Sequence, residues 1–222
     1  LPQVGRVDAE LSKTASPSGS IGLQPCAAPD SKRTRREWNP SKRWNPFNSY
    51  KLLAQVERWK KIRRGRPIPP PVLVTVDPTN LCNLDCVWCN AEFVRKERRG
   101  SLSPRALSKI ADFLPRWGRG TGSGVVGVQA ICIAGGGEPF MHPNIMEIVE
   151  YIKKKGLVCH LNTNFTLVNK EMAKRLVELG VNFMNISIWA GTAKTYSDLH
   201  PNKTEETFCQ LEEVLTYMNS IK

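Results

Sequence analysis

The chain has 222 residues, 41% of them hydrophobic, which suffices for one good-sized core with an appendage and excludes two full domains. Its formal charge of +12 comes almost wholly from residues 31–66, where thirteen Lys and Arg stand against two Glu, so the remainder is close to neutral. No apolar run approaches the ~20 residues of a membrane span. No secretory pattern marks the opening LPQVGRVDAELSKTASPSGS, and seven cysteines, an odd number, argue against a disulfide scaffold, so a cytoplasmic protein is expected.

Residues 1–47 are aperiodic and rich in Ser, Pro and charge, and are read as a disordered or loosely ordered tail. Residues 48–71 follow as a basic amphipathic helix, from about Tyr50 to Arg64, and the stiff connector PIPPP. The helix carries Leu53, Val56, Trp59 and Ile62 on an apolar stripe, expected to cover the floor of the main domain while its bases face water. From residue 72 to 222 strands and helices alternate. The strands are VLVTV (72–76), VQAICIA (128–134), LVCHLN (157–162) and FMNISIWA (183–190). The helices are 103–114, with Ser103 as N-cap and Pro104 in the first turn, 144–156 and 169–180, stopped by Gly156 and Gly180, and 204–221. Four β–α units of this kind predict a parallel α/β sheet, either a barrel or an open doubly wound sheet.

Each strand runs into an unusual stretch at its carboxyl end, the side on which parallel folds build sites. After the first comes LCNLDCVWCN, with Cys82, Cys86 and Cys89 within eight residues; after the second comes GGGEPF; the third runs into Asn162, Thr163 and Asn164; the fourth carries Ser187 and runs into WAGT. Three thiolates fall one short of a structural zinc site, which would have to recruit His160, Cys132 or Cys159, whereas an iron–sulfur cluster accepts three and leaves one iron open. Taken singly, GGGEPF reads equally as a glycine turn before a helix, Asn162 and Asn164 as loop caps, Ser187 as a partner for a neighbouring carbonyl, and His160 as a core histidine. Tyr196 and His200, in TYSDLHPN, either face substrate or pack a loop, and Cys26, Cys132, Cys159 and Cys209 read as free thiols without a role.

The spacing Cys-x3-Cys-x2-Cys after a first strand, with Trp88 before the third Cys and GGGEP after the second strand, resembles the radical S-adenosylmethionine (SAM) enzymes over residues 72–221. The resemblance implies a partial (β/α) TIM-type barrel, the first four β/α units of a radical SAM core, in a gene product that continues past Lys222. It implies that Cys82, Cys86 and Cys89 hold a [4Fe-4S] cluster whose open iron binds SAM. Trp88 would lie near the adenine, and Gly135, Gly136, Gly137 and Glu138 near the methionine end. Asn162, Thr163, Asn164 and Ser187 would complete the cofactor site, with Phe165 standing where the family carries Gly. An external flavodoxin- or ferredoxin-like electron donor and an unknown substrate are the implied partners. The rival reading is a zinc-stabilised, non-catalytic nucleic-acid binder that uses residues 31–66, the segment that could otherwise meet an acidic partner.

Overall fold

The computed structural model describes residues 55–65, 67–91, 97 and 99–222; the expected tail and the start of the basic helix lie outside the described residues. Four strands, β1 (Leu73–Val76), β2 (Ala130–Ile133), β3 (Val158–Thr163) and β4 (Phe183–Ile186), pair in parallel in the order β1-β2-β3-β4. Each strand thus lies beside its predecessor, with Val74 opposite Ile131, Ile131 opposite Cys159 and Leu161 opposite Met184. A doubly wound sheet reverses direction part-way; an unbroken sequential order is the winding of a barrel.

The helices are α1 (Val56–Arg63), α2 (Pro104–Phe113), α3 (Ile145–Lys154), α4 (Lys170–Glu178), α5 (Ala193–Leu199) and α6 (Glu205–Ser220). Local chemistry sets their ends. Ser103 Oγ accepts the Ala106 N–H at 3.2 Å and Asn169 Oδ1 accepts the Met172 N–H at 2.8 Å. Gly156 and Gly180 take φ of 73° and 65° just past α3 and α4, the left-handed turn that ends a helix. Ile145, Ile148, Val149 and Ile152 bury one face of α3. Every residue of β2 is buried, while β3 alternates, burying Cys159, Leu161 and Thr163 and leaving His160 and Asn162 half-buried on the other face.

Four expectations are corrected. The fourth strand stops at Ile186 instead of reaching residue 190, because its only partner strand among the described residues, β3, ends opposite it at Thr163; the chain then turns at Trp189, whose φ is 54°. A short helix, α5, then intervenes before α6; its seven residues are too few to show an apolar period. The face of α1 is also inverted. Val56, Trp59 and Ile62 are exposed, and Arg58 is buried with its guanidinium donating to the carbonyls of Pro70, Pro71 and Gly127. A proline-rich connector offers carbonyls without N–H groups to pair them, and a guanidinium brings five donors in a fixed fork. Lys61 likewise donates to Ser123 O at 2.6 Å, so two of the helix's bases serve the fold. Cys132 and Cys159 are buried thiols as expected, whereas Cys209 is disulfide-bonded.

At the end of β3, Phe165 adopts φ of 65° and is 1% exposed. The position requires the left-handed backbone that glycine adopts freely, and the phenyl ring offsets the strain by filling the core. Replacing Phe165 by Ala should cost about 3–5 kcal/mol of stability, the range for emptying a buried aromatic site. Phe165→Gly should be the milder change by roughly 1 kcal/mol because it also relieves φ. Urea unfolding of the two variants checks this order, the reverse of that at ordinary positions.

Candidate active site

The segment between β1 and α2 holds the three cysteines, and hydrogen bonds close it at its base. Thr79 and Ser101 form an antiparallel bridge, Asn80 N–H donates to Gly100 O at 3.1 Å, and Leu102 N–H donates to Pro78 O at 2.8 Å. Leu84, 2% exposed, anchors the loop in the core between the first two thiols.

The ends of the other strands grip the same loop. From β2, the Glu138 N–H donates to Leu81 O at 2.7 Å. From β3, Asn164 Nδ2 donates to Asn83 Oδ1 at 3.0 Å, and Asn83 Nδ2 donates to Thr166 Oγ1 at 2.8 Å. From beyond β4, Val87 N–H donates to Leu199 O at 3.2 Å. Asn202 accepts the Asp85 N–H at 3.1 Å and donates to Asn83 O at 3.0 Å. Asn83 and Asn202 were not singled out in the sequence; an asparagine between two clustered cysteines is the signal that was available.

Together these segments line a cleft of about 430 Å³. Cys82, Cys86, Cys89, Trp88, Gly135, Gly137, Glu138, Asn162, Thr163, Asn164 and Ser187 all face it, joined by Asn185, Trp189 and His200. Of the residues expected there, Gly136 is the exception; the space beside its Cα points at Ala91. Gly137 is glycine for want of room: a Cβ would stand 2.2 Å from Leu81 O and 2.5 Å from the Asn80 carbonyl carbon. The glycine bend is therefore packed against the cysteine loop.

Glu138 is 2% exposed, and its carboxylate accepts three hydrogen bonds: from Thr163 Oγ1 at 2.6 Å, Asn164 N at 2.6 Å and Phe140 N at 3.1 Å. Burial pushes its carboxyl above the ordinary carboxylate range, while the donors from Thr163, Asn164 and Phe140 pull the other way. The Thr163 hydroxyl and the Asn164 N–H are thus engaged by Glu138, and the Asn164 side-chain amide by Asn83 and Thr166. Asn162 Oδ1, in contrast, lines the cleft and is buried without a protein partner. So is His200 Nε2. Since His200 Nδ1 lies 2.7 Å from the Tyr196 carbonyl, which can only accept, Nδ1 carries a proton, and in the neutral ring Nε2 then presents a lone pair. Trp88 sets its ring edge-on to Trp189 at 6.4 Å and to His200 at 5.2 Å. His160 does not line the cleft; it stacks edge-on to Phe183 at 4.8 Å, and burial lowers its proton affinity.

The donor set fits a large sulfur-ligated group together with a polar ligand. Three thiols share one cleft, yet among the described residues no three His, Cys, Asp or Glu side chains converge closely enough for a single metal ion. A four-iron cube spreads its thiolates farther apart than one ion does, and buried acceptors without partners call for a ligand that brings N–H or O–H groups. The residues that the zinc reading would have to recruit, Cys132, Cys159 and His160, all lie outside the cleft.

Replacing Glu138 by Gln should destabilise the fold by about 1–3 kcal/mol, because an amide cannot accept from all three donors and leaves one stranded. The sign of the pH effect is opposite to that of a salt-bridged acid. With its affinity for the proton raised on folding, native Glu138 favours low pH, and its contribution declines as pH rises from the ordinary glutamate range through the raised folded value. The stability difference between the native protein and Glu138→Gln, followed by thermal melting against pH, should change in that window.

The Radical SAM superfamily model matches residues 76–216. Among curated relatives, Fe-coproporphyrin III synthase of Methanosarcina barkeri (strain Fusaro / DSM 804) is 32% identical over 141 residues, 64% of this chain and 31% of that protein. Mycofactocin maturase MftC of Mycobacterium ulcerans (strain Agy99) is 30% identical over 125 residues, 56% of this chain and 31% of that protein. The chain thus spans about one third of the length of these relatives. Among solved structures, anSMEcpe with bound AdoMet and the Kp18Cys peptide aligns with a TM-score of 0.53 at 19% identity, over 68% of this chain and 41% of that one. Streptococcus suis SuiB bound to precursor peptide SuiA aligns with a TM-score of 0.56 at 18% identity, over 80% of this chain and 37% of that one. At such identities the likeness is one of fold, a partial TIM-type barrel. The sequence match over residues 76–216 carries the assignment: the chain belongs to the radical SAM superfamily, whose members are enzymes that use a [4Fe-4S] cluster and SAM.

Proposed function

We propose that this chain forms the cofactor-binding part of an enzyme that starts radical chemistry by reductive cleavage of SAM. The observation that carries the reading is the shared cleft. Three thiols, a glycine bend and two buried acceptors without partners meet at the carboxyl ends of four parallel strands. Cys82, Cys86 and Cys89 would hold the cluster, and the cluster with SAM would supply a 5′-deoxyadenosyl radical able to take a hydrogen atom from substrate.

The chain's own residues bind and orient. Trp88, 43% exposed at the cleft mouth, offers an aromatic face for the adenine. The backbone of Gly135–Gly137 would run beside the methionine end. Glu138 sets a negative charge nearby, and a ligand ammonium would relieve what burial costs it. Asn162 and Ser187, which line the cleft, would serve the hydroxyls and amino groups of the nucleotide. Thr163 and Asn164 act through Glu138 and Asn83. A flavodoxin- or ferredoxin-like protein would deliver the electron, and a cytoplasmic setting is in keeping with that supply. Any acidic or nucleic-acid partner of the basic segment would find Lys60 and Arg63 exposed on α1 and Arg64 exposed just past it, since Arg58 and Lys61 are engaged internally.

In the full-length protein, anaerobic loading with iron and sulfide should give a brown chromophore, and reduction with SAM present should release 5′-deoxyadenosine. Cys86→Ala should abolish both. One zinc per chain without sulfide, or an unaltered chromophore in the variant, would sink the reading. The glycine bend gives a second check. Gly137→Ala places a methyl group against backbone that cannot yield, so it should cost about 1–3 kcal/mol, as overpacking does, and should weaken cluster retention. Gly136→Ala, with 3.8 Å to its nearest neighbour, should do neither. Iron content after gel filtration separates the two variants.

A further inference from the structure

Among the described residues, two without the freedom of glycine take a left-handed backbone: Phe165, with φ of 65°, and Trp189, with φ of 54°. For a bulky side chain that backbone is strained. The two residues differ in what offsets the strain. Phe165 is 1% exposed, and its ring fills the core. Trp189 is 67% exposed, more than any other large hydrophobic side chain among the described residues, so burial offsets little. A glycine stands two residues on, at Gly191, yet the left-handed position falls to the tryptophan. A strained backbone that holds a large apolar ring out to water has no account in the folding of the chain alone.

The place of the ring supplies one. Trp189 lines the cleft just past β4, and its ring stands 6.4 Å from that of Trp88 with the planes 72° apart. Two indoles nearly at right angles make a corner. A flat aromatic ring stacked on one of them turns its edge toward the face of the other, and both contacts are favourable because an aromatic face is negative and its edge positive. We propose that Trp189 is the second wall of the purine pocket: with Trp88 it grips the adenine of SAM in this corner. The inference rests on the reading of the cleft as a SAM site. Of the parts of SAM, the purine alone is flat and apolar on its faces; the ribose and the methionine end are polar or charged and suit Asn162, Ser187 and Glu138. Binding to the folded state alone then offsets the strain at residue 189, which the core does not.

The test compares Trp189→Gly and Trp189→Phe with the unaltered full-length protein. In the metal-free state Trp189→Gly should melt no lower than the native protein, because glycine adopts φ of 54° freely and the exposed indole leaves little packing behind. A lower melting temperature, including outright misfolding, would mean that the indole serves the fold, and would overturn the inference. After anaerobic loading with iron and sulfide, Trp189→Gly should bind SAM about tenfold more weakly by equilibrium dialysis, as loss of a base–aromatic stack does, with iron content unchanged. Trp189→Phe, which keeps a flat ring, should recover part of the loss; a Phe variant no better than Gly would overturn the proposal. An independent measurement needs no variant. In the loaded native protein, SAM should shield Trp88 and Trp189 from hydroxyl-radical labelling read by mass spectrometry while Trp59, exposed on α1, is labelled as before. Shielding of Trp88 without Trp189 would overturn the proposal. Unaltered SAM affinity in Trp189→Gly defeats this inference alone; failure of the loaded native protein to bind SAM defeats the functional reading beneath it and this inference with it.

Discussion

A carboxylate that holds three donors in a buried site cannot turn away without stranding them all. Glu138 is in that position, and the cleft is organised around it. Its side chain binds the end of β3 through Thr163 and Asn164, and its own N–H binds the cysteine loop through Leu81. The glycine bend before it, the turn at residues 163–165 and the entry to the cysteine loop therefore share one fixed point. Phe165 completes the turn, its N–H donating to Thr163 Oγ1 at 2.8 Å. A displacement of any one of these segments would be felt by the other two, which is how short loops, individually weak, can hold thiols in register.

The fold was legible where one physical signal dominates. Apolar spacing such as Ile145, Ile148, Val149 and Ile152 leaves a helix little choice of face, and β-branched runs bounded by turns mark buried strands. The site was legible for a related reason. In a parallel sheet all carboxyl ends lie on one rim, so motifs far apart in sequence must converge once alternation is recognised. Cys82, Glu138, Asn162 and Ser187 meet in one cleft on that argument alone.

The failures share a cause as well: they concern which partner a polar group finds, and that is decided in three dimensions. Nothing local says that Arg58 would turn inward to serve carbonyls near residues 70 and 127, leaving Trp59 exposed. Thr163 and Asn164 line the cleft, yet nothing local says that Glu138, one strand away, would engage the Thr163 hydroxyl and the Asn164 backbone N–H. Just past β4, Trp189 takes a left-handed backbone, which a tryptophan seldom adopts and no pattern announces. Phe165 is the converse case, in which a departure from the expected Gly kept the expected φ.

These features together describe a rim that is less comfortable than the core beneath it. Asn162 Oδ1, His200 Nε2 and Tyr196 Oη are buried without protein partners, and Phe165 and Trp189 flank the same rim in strained backbone conformations. The strands below, with Ile133, Cys159 and Leu161 at 0% exposure, add one such group, His160 Nε2 on the other face of β3. A fold can tolerate local cost where its core is secure, and such cost gathers where a ligand is to be received, since whatever binds the folded state alone offsets it. A cleft whose acceptors await donors and whose thiols converge without closing on one ion is organised for a guest larger than an ion and richer in polar groups than water. On this argument the discomfort of the rim and the chemistry of the family have the same origin.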